Sequence, residues 1–420
     1  MRILFVLPSF PFPPGDGGSA KVFNILKFLS ERHECDLICF GESGRVDLAG
    51  LRRALPLVGK VWIVRPPSWI SRLLGACANL MCLRPPSFAG YSSNEMANRI
   101  DAETRHRGYD AVHLDIINMA PYQRYCRGLP SVHSPNDATS LLYLRLSDDA
   151  SSMATRLRLR AASFLLARFE RKNYAGFSKI HVVSDQDRDY LSGLRADADI
   201  EVVPITSGYS KDIATTVPVR AASSNLVVTV CGNLGDAVIA EGFRDFLNYT
   251  LPAVSAVKKG LQVRVLGRRV GASLLRELRK HLNVEYFAWV DDFKEFLLAS
   301  DVLLLPDRAG APGPKTRTVQ AMALGRSVLG STTAFDGIPM INGYHGACYT
   351  TQEECRDLLL RLLDDSVLRV SMGIAAAKLA GDEYSIESVG PQYEALYMRA
   401  IKSHLAREHS SVFPRRGIQS

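Results

Sequence analysis

The chain has no C-x-x-C pair, and its eight cysteines are scattered at positions 35, 39, 77, 82, 126, 231, 348 and 355. A disulfide framework or a zinc site needs clustered ligands, so buried free thiols are the expectation. No apolar run reaches the roughly 20 residues that span a bilayer. The opening MRILFVLPSF lacks a basic n-region and a cleavage pattern and reads as a first strand. The expected location is the cytoplasm, extending to the inner face of the membrane. Neither G-x-x-x-x-G-K-[ST] nor G-x-G-x-x-G occurs, which removes the signatures of a P-loop ATPase and of a dinucleotide-binding dehydrogenase. RNP, zinc-finger and helix-turn-helix patterns are missing too, and no nucleic-acid partner is expected.

What is present describes an ordinary globular chain. Of 420 residues, 47% are hydrophobic and 22% charged, and that length favours two domains over one core. The net charge of +8 suits phosphorylated or otherwise anionic partners. RILFVLPSF, the glycine loop PFPPGDGGSA and the helical KVFNILKFLSER open a strand–loop–helix unit. CDLICF, KVWIV, DAVHLDII, SVHS, KIHVVS and IEVVP then recur as short strands between helical segments, predicting a mostly parallel sheet over residues 1–205. Residues 206–222 read as a linker, and a second βα series fills 223–390. A closing helix is expected at 391–405, with a frayed tail at 406–420. The predicted architecture is α/β, with two Rossmann-like domains facing each other across a cleft.

Ligands of such sheets bind where strands end, which selects four loops: 13–21, 133–140, 231–236 and 308–317. Gly17 and Gly18 stand just before a helix N-terminus, where amides and the helix dipole suit a phosphate. GAPGPKTRTVQAMALG, residues 310–325, places Gly313, Lys315 and Arg317 between an apolar strand and a helix, as a close-approaching anion would require. Two basic amphipathic stretches, 69–84 and 153–172, read either as packing segments or as a peripheral membrane contact.

GPKTRTVQAMALGRSVLGSTTAFDG resembles the signature of retaining GT-B glycosyltransferases of the large sugar-nucleotide-dependent family, in its polysaccharide-biosynthesis branch. Gly313, Lys315, Ala321, Met322, Ala323, Gly325 and Val328 match, and Arg317 replaces a lysine. The N-terminal forty residues, HVVSDQDRDYL and VEYFAWVDDFKEFLLASDVLLLP fall in the family's order, so the resemblance runs through essentially the whole chain. It implies a nucleoside diphosphate sugar as co-substrate, with no cofactor or metal, and transfer with retention to a glycan or lipid-linked acceptor. It also implies Lys315 and Arg317 at the diphosphate, and Trp289 and Val290 at the nucleobase. Gly17, Gly18, Gly232, Asn233, Gly313 and Gln320 complete the expected donor side. His133 and Asp137 are the candidate reacting-centre residues, with His113, Asp115 and Asn136 beside the acceptor. Gln320 and Pro312 stand where the family's pattern has glutamates. A non-catalytic nucleotide- or glycan-binding homologue is therefore the stronger rival reading, and a sugar-nucleotide epimerase, which the GT-B fold also serves, is the other.

Overall fold

The computed structural model describes residues 1–42, 44–105, 108–216, 226–232, 234–235, 237–268 and 270–412. The chain divides into two units. The first comprises 1–141, 161–203 and 390–420; the second comprises 142–160 and 204–389.

Among the described residues of the first unit, seven strands form one sheet: β1 (Arg2–Leu7), β2 (Glu34–Phe40), β3 (Val58–Val64), β4 (Ala111–Asp115), β5 (Ser131–Asn136), β6 (Lys179–Val182) and β7 (Ile200–Val202). Their order is β3-β2-β1-β4-β5-β6-β7, with parallel pairing throughout. The near-continuous burial of RILFVL and ECDLICF is what a parallel sheet covered on both faces demands. The Gly17–Ser30 helix follows β1 and buries Val22, Ile25, Leu26 and Leu29, one stripe at helical spacing.

The second unit repeats the plan. β8 (Val227–Cys231), β9 (Gln262–Leu266), β10 (Val284–Phe287), β11 (Val302–Leu305), β12 (Ser327–Ser331) and β13 (Ala347–Tyr349) run in the order β10-β9-β8-β11-β12-β13, again parallel. The short β13 carries too few residues to have signalled itself in the sequence. Both sheets reverse direction of winding beside their first strand, between β1 and β4 and between β8 and β11, and such switch points open a crevice at the strands' carboxyl ends.

The chain departs from the expected boundaries in three places. Residues 142–160 belong to the second unit, where Leu146, Ala150 and Leu159 cluster with Ala309 and where Arg145 pairs with Asp336 at 2.9 Å. Residues 206–216 are no free linker: Ser207 donates its amide to Tyr384 at 2.7 Å, and Ile213–Thr216 forms a short helix. The rest of the expected linker, 217–222, lies outside the described residues. The closing helix runs Ile386–Val412, longer than expected, and from Gly390 onward it packs in the first unit with Tyr393 and Tyr397 buried. The tail beyond 412 lies outside the described residues.

At Gly390 this helix packs tightly against Phe28. A Cβ there would stand 2.3 Å from the Phe28 ring. Gly390→Ala should therefore destabilise the protein by about 1–3 kcal/mol, because overpacking outweighs the gain in helix propensity of at most about 1 kcal/mol. Thermal unfolding of the variant checks this.

Candidate functional site

In the first unit the loop after β1 ends at Asp16, whose carboxylate caps the Gly17–Ser30 helix by accepting the Ser19 amide at 2.9 Å. Gly17 and Gly18 are the first two helical residues, inside the N-terminus they were expected to precede. The cap also sets a negative charge at the helix end, which competes with any phosphate there. Asn136 terminates β5 in a left-handed conformation, φ 76°, uncommon for a residue other than glycine. A Cβ on Gly18 would lie 3.5 Å from the Asn136 side-chain nitrogen, so the two loops adjoin. The buried side-chain oxygen of Asn136 has no hydrogen-bond partner. A left-handed backbone and an unpaired side-chain acceptor thus coincide at the carboxyl end of β5. Asp137 is the next residue, outside the strand, and is half-buried.

Beneath this loop lies a polar network that the sequence did not announce. Lys21, one turn into the helix, is 2% exposed and pairs with Asp115 at 3.1 Å. Its ammonium also donates to Ser134 Oγ at 2.6 Å. Ser134 continues to His181 Nδ1 at 2.8 Å, and His181 Nε2 reaches the Val203 carbonyl at 2.9 Å. A carbonyl only accepts, so His181 carries its proton on Nε2 and takes the Ser134 hydroxyl proton at Nδ1. His113 stands 3.7 Å from Asp115 and meets the Tyr397 hydroxyl at 2.7 Å. Burial alone would raise the Asp115 carboxyl, but Lys21 and His113 together outweigh it and hold it at about 2. The imidazole of His113 is pushed down by burial. His113 and Asp115 are thus interior residues of this network, not residues lining the acceptor side.

His133 is displaced from its expected role by the register of the sheet. β4 and β5 pair Asp115 with Ser134 and Leu114 with His133; since side chains alternate, His133 faces the opposite side from Asp115. It is fully buried, stacked on Phe177 at 4.8 Å and edge-on to Tyr174 at 5.1 Å, with Nδ1 donating to the Leu114 carbonyl at 2.9 Å. Burial pushes its pKa down to about 3. A neutral imidazole enclosed by aromatic rings is packing, and the expectation that His133 and Asp137 share a reacting centre is corrected for His133.

In the second unit the loop after β11 sits at the switch point, but its cations are already engaged. Arg308 is ringed by Asp149, Glu241 and Asp245 at 3.5, 3.4 and 3.7 Å. Burial and the neighbouring carboxylates raise Asp149 and Asp245 against the pull of Arg308. Lys315 folds back, donating to the carbonyls of Ala311 at 2.5 Å and Gly313 at 2.7 Å. Arg317 pairs with Asp307, which overrides burial and raises the guanidinium further. Gly313 takes φ 83° and lies so close to Gly337 that a Cβ on the latter would be 2.6 Å from the Gly313 Cα; glycine at both positions lets the two loops touch. Gln320 donates to the Ser207 carbonyl at 3.3 Å.

Trp289 follows β10 and is 40% exposed, so it is not core filler. The guanidinium of Arg268, just beyond β9, lies 5.3 Å from its ring centroid. Val290 is half-buried beside it, and Gly232 ends β8 with open space around its Cα. Asn233 lies outside the described residues. Arg268 and Asp307 were legible only as residues directly following strands; Lys21 and His181 carried no signal beyond their place in apolar segments. Among the described residues no group of three His, Cys, Asp or Glu side chains is arranged to hold a metal ion.

Two parallel α/β units of this kind define the GT-B fold. The chain superposes on sucrose-phosphate synthase from Thermosynechococcus elongatus with a TM-score of 0.66 at 14% identity, covering 96% of this chain and 100% of that one. Anabaena Alr3699/HepE in complex with UDP-glucose gives 0.62 at 13% identity, covering 94% and 99%. A trehalose-6-phosphate structure from E. coli bound with UDP-2-fluoro glucose gives 0.61 at 12% identity, covering 96% and 99%. In sequence, residues 225–365 match the family described as Glycosyl transferases group 1. No curated protein matches the chain.

The buried histidines predict an acid response. His133 and His181 are both held near 3, below their ordinary 6.5. The unfolded chain therefore binds more protons between those values, and stability is full above about pH 6.5 and falls as pH is lowered toward 3. In thermal melts across this range His133→Phe, which cannot take the proton, should show a shallower fall, whereas His133→Ala should lose about 3 kcal/mol at neutral pH through the cavity it leaves.

Proposed function

We propose that the chain is a glycosyltransferase that takes a sugar from a nucleoside diphosphate sugar and delivers it, with retention and without a metal, to a glycan or lipid-linked acceptor. The observation that carries this reading is the coincidence of the Glycosyl transferases group 1 match, 225–365, with the unit whose switch-point loop holds Lys315 and Arg317. The UDP and UDP-glucose of the superposed HepE structures support a nucleotide sugar as the donor.

In this reading the Lys315 ammonium exchanges the Ala311 and Gly313 carbonyls for the diphosphate, a stronger, charged acceptor. The exchange leaves those two carbonyls to the solvent or the sugar and tightens the loop on the ligand. Arg317, tied to Asp307, is a positioning residue that fixes the helix start to the end of β11 and adds positive potential behind the leaving group. Trp289 and Arg268 form the nucleobase platform. Gln320 meets a ribose hydroxyl as a neutral amide. On the first unit Asn136 and Asp137 contact acceptor or sugar hydroxyls, and Gly18 leaves room for their approach. The protein's contribution to a retaining transfer is then positioning and charge stabilisation of the departing diphosphate.

A second reading, a nucleotide-binding protein without turnover, is favoured by one observation: Gln320 replaces a carboxylate and is already committed to the Ser207 carbonyl. Gln320→Glu separates the two. A gain in turnover supports a working transferase site, while binding without turnover in both forms supports the rival.

Nucleoside diphosphates and their sugars, screened by thermal shift, should stabilise the protein by about 2.7 kcal/mol at one hundred times Kd; no shift at millimolar concentration with any donor would exclude a donor site. Lys315→Ala removes a charge-assisted contact of about 1.5–3 kcal/mol and should lower transfer by one to two decades per folded molecule. Gly18→Ala is a sharper probe of the first unit, since an added methyl meets only ordinary contacts there. It should fold at least as stably as the parent and still lose kcat if the substrate approaches that backbone.

A further inference from the structure

The Trp69–Met81 helix of the first unit follows the edge strand β3 and is built inside out. None of its residues is buried. Its inner side is small: a Cβ on Gly75 would lie 3.1 Å from the Cβ of Ala89, in the 3-10 turn Pro86–Tyr91 against which the helix rests. At 100° per residue, Trp69, Ile70, Leu73, Leu74, Leu80 and Met81 fall within an arc of about 140°, and they are 52–84% exposed. A helix that seals a sheet edge ordinarily turns such a stripe inward. This one presents it to the outside as a continuous apolar strip, larger than scattered surface leucines would make.

Along the sequence the charge about the helix has one sign. Residues 48–94 contain no Asp or Glu and six exposed basic residues, of which Arg65 and Arg84 flank the helix and Arg72 lies on it. An exposed apolar strip with Arg65, Arg72 and Arg84 on or beside its helix complements the headgroups and acyl boundary of an anionic bilayer. Tryptophan at one end of the strip fits that interface as well. The helix is about 20 Å long, and among the described residues no helix is long and apolar enough to cross a membrane, so it would lie in the interface plane.

We propose that the Trp69–Met81 helix is a membrane-surface anchor that docks the first unit on anionic lipid. This does not rest on the reading of the chain as a glycosyltransferase. The test is co-sedimentation of the full chain with vesicles of phosphatidylcholine, alone or with about one third phosphatidylglycerol. Partitioning should be at least about tenfold stronger on the anionic vesicles and should weaken with salt. The double substitution Leu73→Asp with Leu74→Asp should abolish it at unchanged Tm, since both side chains are exposed. Arg72→Glu should reduce the preference for anionic lipid while leaving the fold intact. Equal partitioning of parent and double variant, or none by either, would overturn the proposal. So would a concentration-dependent dimer of the parent that the double variant abolishes, because the strip would then be covered by a second copy of the chain.

Discussion

The ammonium of Lys21 and the carboxylate of Asp115 lie 3.1 Å apart with almost no access to water, and neither charge could stay there without the other. Taking a single ion into such an interior costs several kcal/mol, and removing one partner typically costs about 3–5 kcal/mol. The pair therefore dictates what surrounds it. Ser134 and His181 extend it through β5 and β6 to the Val203 carbonyl, and His113 extends it to Tyr397 of the C-terminal helix. Three strands, the residue after a fourth and two helices converge on one charge pair. The first turn of the Gly17–Ser30 helix, and with it Gly18 beside Asn136, is placed by this anchor.

The second unit has an apolar cluster running from Val228 and Val263 to Leu359, and buried charge as well, in Arg326 and in Asp301 facing Arg369. In the segment after β11 each cation has an internal acceptor: the carboxylates about Arg308, the loop carbonyls for Lys315, Asp307 for Arg317. Arg317 and Arg308 have ionic partners, and Lys315 donates to the carbonyls of Ala311 and Gly313. These contacts give the loop a defined shape of its own.

Most of the fold was legible because parallel strands buried on both faces write themselves as apolar runs, and RILFVL, CDLICF and VLLL leave no other reading. The switch-point loops were legible through Gly17, Gly18 and Gly313. What failed was the assignment of polar residues inside strands. His133, Ser134 and Asp115 occupy consecutive or paired positions on β4 and β5, and only the register decides which face each one takes. A one-residue difference put His133 among Phe177 and Tyr174, and Ser134 in the ionic network. Ion pairing across long separations, such as Asp149 to Arg308, has no local signature at all, so the sequence could show that the loop was basic but not that its charges were spoken for.

The path of the chain carries its own consequence. It passes between the units at 141/142, 160/161, 203/204 and 389/390, and the strand that needs Tyr397 over His113 is made almost three hundred residues before the helix that supplies it. During synthesis the first unit cannot complete its core when its seventh strand emerges; it must wait, with the faces around Phe5 and His113 uncovered, until the second unit has been made. The nascent first unit is thus exposed to misassembly while residues 204–389 are translated, and the natural breakpoint between two halves of the sequence is not the boundary of a finished unit.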